Sequence, residues 1–247
     1  MTGFAGKRYW LVGASEGLGA ALAQQMAGEG AQLILSARNA TRLETLAATL
    51  PQPATVLPMD VQSDDSVAKA VAQLGQIDGI VWLAGVYWPM PAQKWTAAEG
   101  VAMADVNFTG AMRVLGHVMP MLQAQGHGHV VLTGSLSGFR GLPGAIGYGA
   151  SKAAIMSLAE SMYADLRHTG IRVQLANPGF IRTRLTEKNT FSMPFLMTPE
   201  DAAGHMMALM RRPQRFKANF PTVFSWVFRL SQFLPDALYY RLFAADQ

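Results

Sequence analysis

A phenol and an ammonium stand four residues apart in Tyr148-Gly149-Ala150-Ser151-Lys152. On a helix that spacing puts both on one face. A free tyrosine has a pKa of about 10, too high for an efficient proton shuttle at neutral pH. A neighbouring ammonium favours the phenolate and lowers that value. A tyrosine tuned in this way donates a proton to a carbonyl oxygen as hydride arrives at carbon, or takes one in the reverse direction. The spacing alone is common on helix surfaces, so the company it keeps decides. Ser135 lies thirteen residues before Tyr148, just past a β-like run from His129 to Thr133. Its hydroxyl could hold the substrate oxygen beside the phenol. Ser137 competes for that role in the same loop, where either serine could be a turn residue.

A second constellation suits a phosphate. Gly13-Ala14-Ser15-Glu16-Gly17-Leu18-Gly19 follows the apolar run Tyr9 to Val12 and precedes a helical stretch from Gly19 to Glu29. Gly13 permits a tight turn, Gly17 lets the backbone approach a pyrophosphate, and Gly19 allows close helix–sheet packing. The helix N-terminus then offers unpaired N–H groups to the phosphates. A glycine-rich turn without a ligand is the alternative. The residue that reads the adenosine ribose is expected at the end of the second strand, which here reads Ser36-Ala37-Arg38-Asn39. No carboxylate is present to accept from a free 2′-hydroxyl, whereas Arg38 suits a 2′-phosphate. That points to NADP(H), unless Arg38 is a solvated surface arginine.

The elements that must position these groups alternate. Strands are expected at Tyr9–Val12, Gln32–Ser36, Thr55–Leu57, Gly79–Leu83, His129–Thr133 and Arg172–Ala176. Helices are expected at Gly19–Glu29, Arg42–Leu50, Ser63–Leu74, Ala104–Gln125 and Tyr148–His168. Strands alternating with helices imply a doubly wound, Rossmann-like α/β fold with a parallel sheet and helices on both faces. Ligands bind at the carboxyl ends of its strands. Residues 1–212 read as this domain and 213–247 as its amphipathic, aromatic-rich helical C-terminal extension.

Composition narrows the class. Half of the 247 residues are hydrophobic, the formal charge is +4, and there is no cysteine. Disulfides, thiolate catalysis and cysteine-based metal sites are excluded, and no metal is expected in the site. The basic excess is small and only partly clustered, so nucleic acid is not an expected partner. The first apolar run is too short for a signal sequence, and no stretch reaches the roughly 18 apolar residues of a spanning helix. A cytoplasmic protein is expected.

Taken together, the residues resemble the single-domain short-chain dehydrogenase/reductase family over about residues 6 to 210. The matches are the Gly13/Gly17/Gly19 loop, Asp60-Val61, Ala84-Gly85, Asn107, Ser135, Tyr148-x-x-x-Lys152, and Asn177-Pro178-Gly179 running on to Thr183. The resemblance implies Tyr148 as general acid/base. Lys152 would lower its pKa and bind the nicotinamide ribose. Ser135 would polarise the substrate oxygen, and Asn107 would support a proton-relay water with Lys152. Asp60 and Val61 would contact adenine, and Thr183 the carboxamide. Ser15, Leu18, Ala84, Gly85, Pro178, Gly179 and Ile181 complete the implied cofactor surface. A homodimer or homotetramer through the two long helices is also implied. The chain departs from the family at Val12, where threonine is usual, at Leu83, where asparagine is usual, and in lacking an Asp-Gly-Gly strand near the C-terminus.

The lining expected around the site is apolar: Trp88, Met90, Phe139, Leu142, Phe180, Leu185, Phe191, Met193, Phe195, Leu196 and Met197. A hydrophobic carbonyl or alcohol substrate follows. In the tail, Phe220, Phe224, Val227, Ser231 and Leu234 are expected on one helix face, with a second helix from Asp236 to Phe243. That face either packs on the domain, caps the site, joins an interface, or makes peripheral membrane contact. Two further readings of the whole chain are a non-catalytic NADP(H)-binding sensor or scaffold and a membrane-associated lipid-modifying reductase.

Overall fold

The computed structural model describes residues 3–243. Seven strands form one parallel sheet: β1 (Arg8–Val12), β2 (Gln32–Ser36), β3 (Ala54–Val56), β4 (Gly79–Trp82), β5 (Gly128–Thr133), β6 (Ile171–Pro178) and β7 (Lys217–Phe220). Their order is β3-β2-β1-β4-β5-β6-β7. The helices between them are α1 (Gly17–Gly28), α2 (Ala40–Thr49), α3 (Asp64–Val71), α4 (Ala97–Ala104), α5 (Gly110–Gln125), α6 (Ile146–Leu166) and α7 (Pro199–Met210). The chain continues into α8 (Thr222–Ser231) and α9 (Asp236–Phe243). This is the doubly wound α/β fold with a helical C-terminal region.

The strands are near-continuous apolar runs because both faces are covered. Alternation then sorts each strand between two cores. Tyr9, Leu11, Leu33, Leu35, Val81 and Val131 face α1 and α7, meeting Leu22, Met26, Met206 and Met210. Trp10, Val12, Ile34, Ile80, Trp82 and Leu132 face the other way, onto Val67, Val114, Val118 and Ile155. The order reverses between β1 and β4, so a crevice opens at their carboxyl ends.

Three elements differ from expectation, the first being α7, where no helix was expected. The long helix begins earlier, as α4, and runs into α5 through one π-helical turn at Asp105–Thr109. A seventh strand also lies where the basic segment before the tail was expected to lead straight into helix. β7 pairs with β6 from Leu175↔Lys217 to Pro178↔Phe220. The approach to it is fixed by buried Gln174, whose Nε2 donates to the carbonyls of Leu209 (3.1 Å), Arg212 (2.9 Å) and Arg215 (2.7 Å). No helix among the described residues is long and apolar enough to cross a membrane.

Candidate active site

The parallel register brings the loops after β1, β4, β5 and β6 to one end of the sheet. Gly13 adopts φ +96°, and a Cβ there would lie 2.4 Å from the Ala84 nitrogen. This close approach locks the glycine loop to Ala84-Gly85. Gly19 sits as tightly, its would-be Cβ 2.2 Å from the Gly13 carbonyl oxygen. Helix α1 starts here with no side chain capping it and no acidic residue in its first turn. Its N–H groups and partial positive charge are directed at the crevice, as a pyrophosphate needs. Ser15 and Leu18 are half-buried in the same turn. Glu16 pairs with Arg42 at 2.8 Å and with Arg184 from the loop after β6. Thr183 of that loop lies against Gly17. The chain from Phe180 to Met197 returns on itself through Ile181 and Met197, closing a lid over the glycine loop.

Arg38 is exposed past the end of β2 and forms no ion pair among the described residues. Asp60 is occupied in its own turn, accepting from the Gln62 nitrogen at 3.1 Å. Val61 is buried against Gly110. Pro178 and Gly179 follow β6, and the Gly179 nitrogen donates to Phe220 of β7 at 2.7 Å. Leu83, the apolar departure, packs into the core shared by α1 and α7.

Ser135, Tyr148, Lys152 and Asn107 converge. Ser135 lies beside the Tyr148 phenol and favours its ionised form. Ser137 answers the competition between the two serines: its Oγ donates to Ser135 Oγ at 2.9 Å and its backbone nitrogen at 3.2 Å, so it orients Ser135. Lys152 is 4 % exposed, with Nζ donating to the Thr133 carbonyl at 3.0 Å and lying 5.7 Å from the Tyr148 ring centre. A Cβ on Gly85 would touch both Asn107 Oδ1 (3.5 Å) and Lys152 Nζ (3.8 Å). Asn107 spends its amide on structure. Oδ1 accepts from the Val86 nitrogen (2.7 Å), and Nδ2 donates to the Val86 carbonyl (3.0 Å) and Ser151 Oγ (3.0 Å). The loop after Ala84-Gly85, which lost the usual asparagine to Leu83, is thus clamped by Asn107.

The electrostatics differ from the expected tuning. Burial pushes the Tyr148 phenol up to about 12, against the opposing influence of Ser135. Burial also brings the Lys152 ammonium down to about 8. In the protein alone desolvation is the largest influence on the phenol. Tyr148 is therefore a firmly protonated acid at neutral pH, the form that donates to a carbonyl.

The spacing arguments missed Tyr87. Its ring meets Tyr148 edge-on with centres 5.0 Å apart. Its hydroxyl donates to Asn189 Oδ1 at 2.9 Å, and Lys188 Nζ donates to its carbonyl at 2.6 Å while lying 4.4 Å over the Trp88 ring. Lid and catalytic helix meet through this residue. No motif marks it, since the contact exists only once the loop after β4 is folded.

The tail packs on the loop between Ser135 and Tyr148. Phe224 and Phe228 join Leu136, Phe139, Leu142 and Phe180 in a small third core. Arg140 donates to the Ser231 (2.6 Å) and Leu234 (2.8 Å) carbonyls, pairs with Asp236 at 2.5 Å, and lies 3.9 Å over the Tyr239 ring. Arg140→Ala is expected to cost about 2–4 kcal/mol, because it strands a group of part-buried carbonyls. Urea melts would measure this, and limited proteolysis should show early cleavage near residue 235. An equally resistant tail would mean that the arginine is not what fastens it.

Comparison with known proteins agrees with this geometry. The short chain dehydrogenase family model matches residues 7–193. An uncharacterized oxidoreductase of Myxococcus xanthus (strain DK1622) is 35% identical over 238 residues, 93% of each chain. A solved short chain dehydrogenase/reductase family protein superposes with TM-score 0.81 at 27% identity, covering 88% of this chain and 97% of its own. An alcohol dehydrogenase from the archaeon Thermococcus sibiricus, complexed with 5-hydroxy-NADP, gives 0.78 at 25% identity, covering 87% of this chain and 95% of its own. The sheet order, the glycine turn and these likenesses lead to one assignment: this chain belongs to the short chain dehydrogenase family of oxidoreductases.

Proposed function

We propose that the protein is an NADP(H)-dependent oxidoreductase that interconverts a carbonyl and an alcohol on a hydrophobic substrate. The observation that carries this reading is the convergence of Ser135 and Tyr148 beside the buried Lys152, whose Nζ lies 5.7 Å from the Tyr148 ring centre. The nicotinamide supplies or accepts the hydride when bound. Ser135 and Tyr148 converge on one substrate oxygen, and Tyr148 donates its proton there. Lys152 stabilises the negative charge left on the phenol oxygen. Asn107 keeps Val86 and Ser151 in place behind them. Residues 1–212 carry the proposed catalytic residues, and 213–247 add the seventh strand and the helical extension. A homodimer or homotetramer belongs to the same reading.

Several features favour the cofactor assignment. The uncapped start of α1 suits the pyrophosphate, and exposed, unpaired Arg38 suits a 2′-phosphate. The similar Thermococcus sibiricus enzyme was solved with 5-hydroxy-NADP. Arg38→Ala is expected to weaken NADPH binding about 10–100-fold, the worth of a charge-assisted contact, with NADH unaffected. Calorimetric titration of both cofactors measures this, and equal affinities in the parent would remove the NADP assignment. The substrate class rests on the apolar lining, in which Met90 and Met197 are buried and Leu142 and Phe180 half-buried. An NADPH-oxidation screen against carbonyls of graded chain length tests it. The rate should rise with each added methylene, worth about 0.8 kcal/mol when buried.

A further inference from the structure

Helix α8 is apolar on both sides. Phe224 and Phe228 point inward onto the third core. Val223, Trp226, Val227 and Leu230 point outward, 70%, 48%, 47% and 58% exposed, and Phe233 just past the helix is 85% exposed. A helix apolar all round is normally buried, and a contiguous exposed apolar patch marks an interaction site. Leu238 and Leu242 of the following helix α9 are exposed as well. The lid adjoins the same helix, since exposed Phe195 stacks on Phe224 with ring centres 5.4 Å apart.

Charge says what covers this surface. Asp236 is the only carboxylate from Thr222 to Phe243, and Arg140 neutralises it at 2.5 Å. Arg229 and Arg241 are left, and among the described residues neither has an acidic partner. Arg229 lies 4.3 Å over the Trp226 ring, at the margin of the apolar face. A second copy of the same face would bring arginines to arginines with no carboxylate between them. An anionic surface with an apolar interior satisfies both features. Aromatic and aliphatic side chains enter the headgroup–acyl boundary while arginines reach the phosphates. Helix α8 has ten residues, so it lies on such a surface and does not cross it.

We propose that the outward face of α8 and α9, with the adjoining lid, docks the protein on an anionic lipid bilayer. The docking stands whatever the reaction. Its consequence rests on the proposed function: the lid then faces the phase into which a hydrophobic carbonyl partitions.

The test is flotation of the full chain with vesicles of phosphatidylcholine plus phosphatidylglycerol, and with phosphatidylcholine alone. The parent should partition at least about tenfold more onto the anionic vesicles, and less as salt rises from about 0.05 to 0.5 M. Leu230→Glu and Phe233→Glu should each cut partition about tenfold or more, with melting and NADPH binding unchanged. Arg229→Glu with Arg241→Glu should abolish the anionic preference. No flotation of the parent, or equal recovery on both vesicles, overturns the proposal. So does a vesicle-free dimer that Leu230→Glu dissociates, seen by sedimentation equilibrium without lipid binding. Those outcomes leave carbonyl reduction in solution standing. Conversely, flotation without any turnover would remove the reaction and keep the docking.

Discussion

Tyr148→Phe should lower kcat/KM for carbonyl reduction by about 10³–10⁴-fold, the upper range of a positioned general acid. The ring remains, so its edge contact with Tyr87 at 5.0 Å and the packing of α6 remain. Only the hydroxyl beside Ser135 is removed. NADPH affinity should therefore change little and the melting temperature hardly at all. Steady-state NADPH oxidation together with direct cofactor titration separates the two effects. A variant that keeps a tenth of parental activity would take the acid role from Tyr148.

Lys152→Met should remove activity, at least about a hundredfold, and make the protein more stable. The ammonium is nearly fully buried, its one acceptor among the described residues is the Thr133 carbonyl, and its pKa falls from the ordinary 10.5 to about 8. Below pH 8 both folded and unfolded chains carry the charge, and only the folded one bears the desolvation. Between 8 and 10.5 the unfolded chain holds a proton that the folded one has released. Parental stability therefore rises with pH across that window, by about 3 kcal/mol in all. Tyr148, raised to about 12, works the other way only above its ordinary 10, so melts between pH 8 and 10 isolate the lysine. The methionine variant should show no such rise and should be more stable by about 2–3 kcal/mol at pH 7. In the parent, kcat/KM for NADPH should fall as pH climbs through 8, when the charge beside the phenol is lost. A flat profile with an unchanged variant melt would mean that the lysine is solvated after all.

Much of this was legible in the chain because parallel strands buried on both faces leave unbroken apolar words. Tyr9–Val12, Gln32–Ser36 and His129–Thr133 could hardly be anything else between helices. The glycine turn and the Tyr148/Lys152 spacing were equally plain, being fixed by local geometry. Helix α7 was legible but went unread: Thr198 caps it, accepting from the Asp201 nitrogen, with Pro199, Glu200 and Asp201 in its first turn. That is a standard opening for a helix. Strand β7 was not legible. Lys217-Ala218-Asn219-Phe220 has no apolar run, and its place comes from β6 and from Gln174, distant in sequence. The tail face was misjudged for a related reason. Phe220 lies in β7 and Val227 points outward, while Phe228 is buried beside Phe224. Ser225 and Ser231 are buried and Val227 and Leu230 exposed, so residue polarity alone does not mark which side faces in. The tuning of Tyr148 was also out of reach, since desolvation depends on what the fold packs around the hydroxyl.

The seventh strand changes how the C-terminal region can be manipulated. Cutting the chain before residue 213 would not trim an appendage. It would bare the β6 backbone from Leu175 to Pro178, now paired to β7, as an open rim of unsatisfied N–H and C=O groups. Such a rim invites other chains to add themselves as strands, so a truncated protein is headed for inclusion bodies, whatever its tail was for. The same cover protects the newly made chain. Until Lys217–Phe220 is made, the sheet lacks its final strand, and point substitutions on α8 and α9 are the route to function that leaves this guard in place.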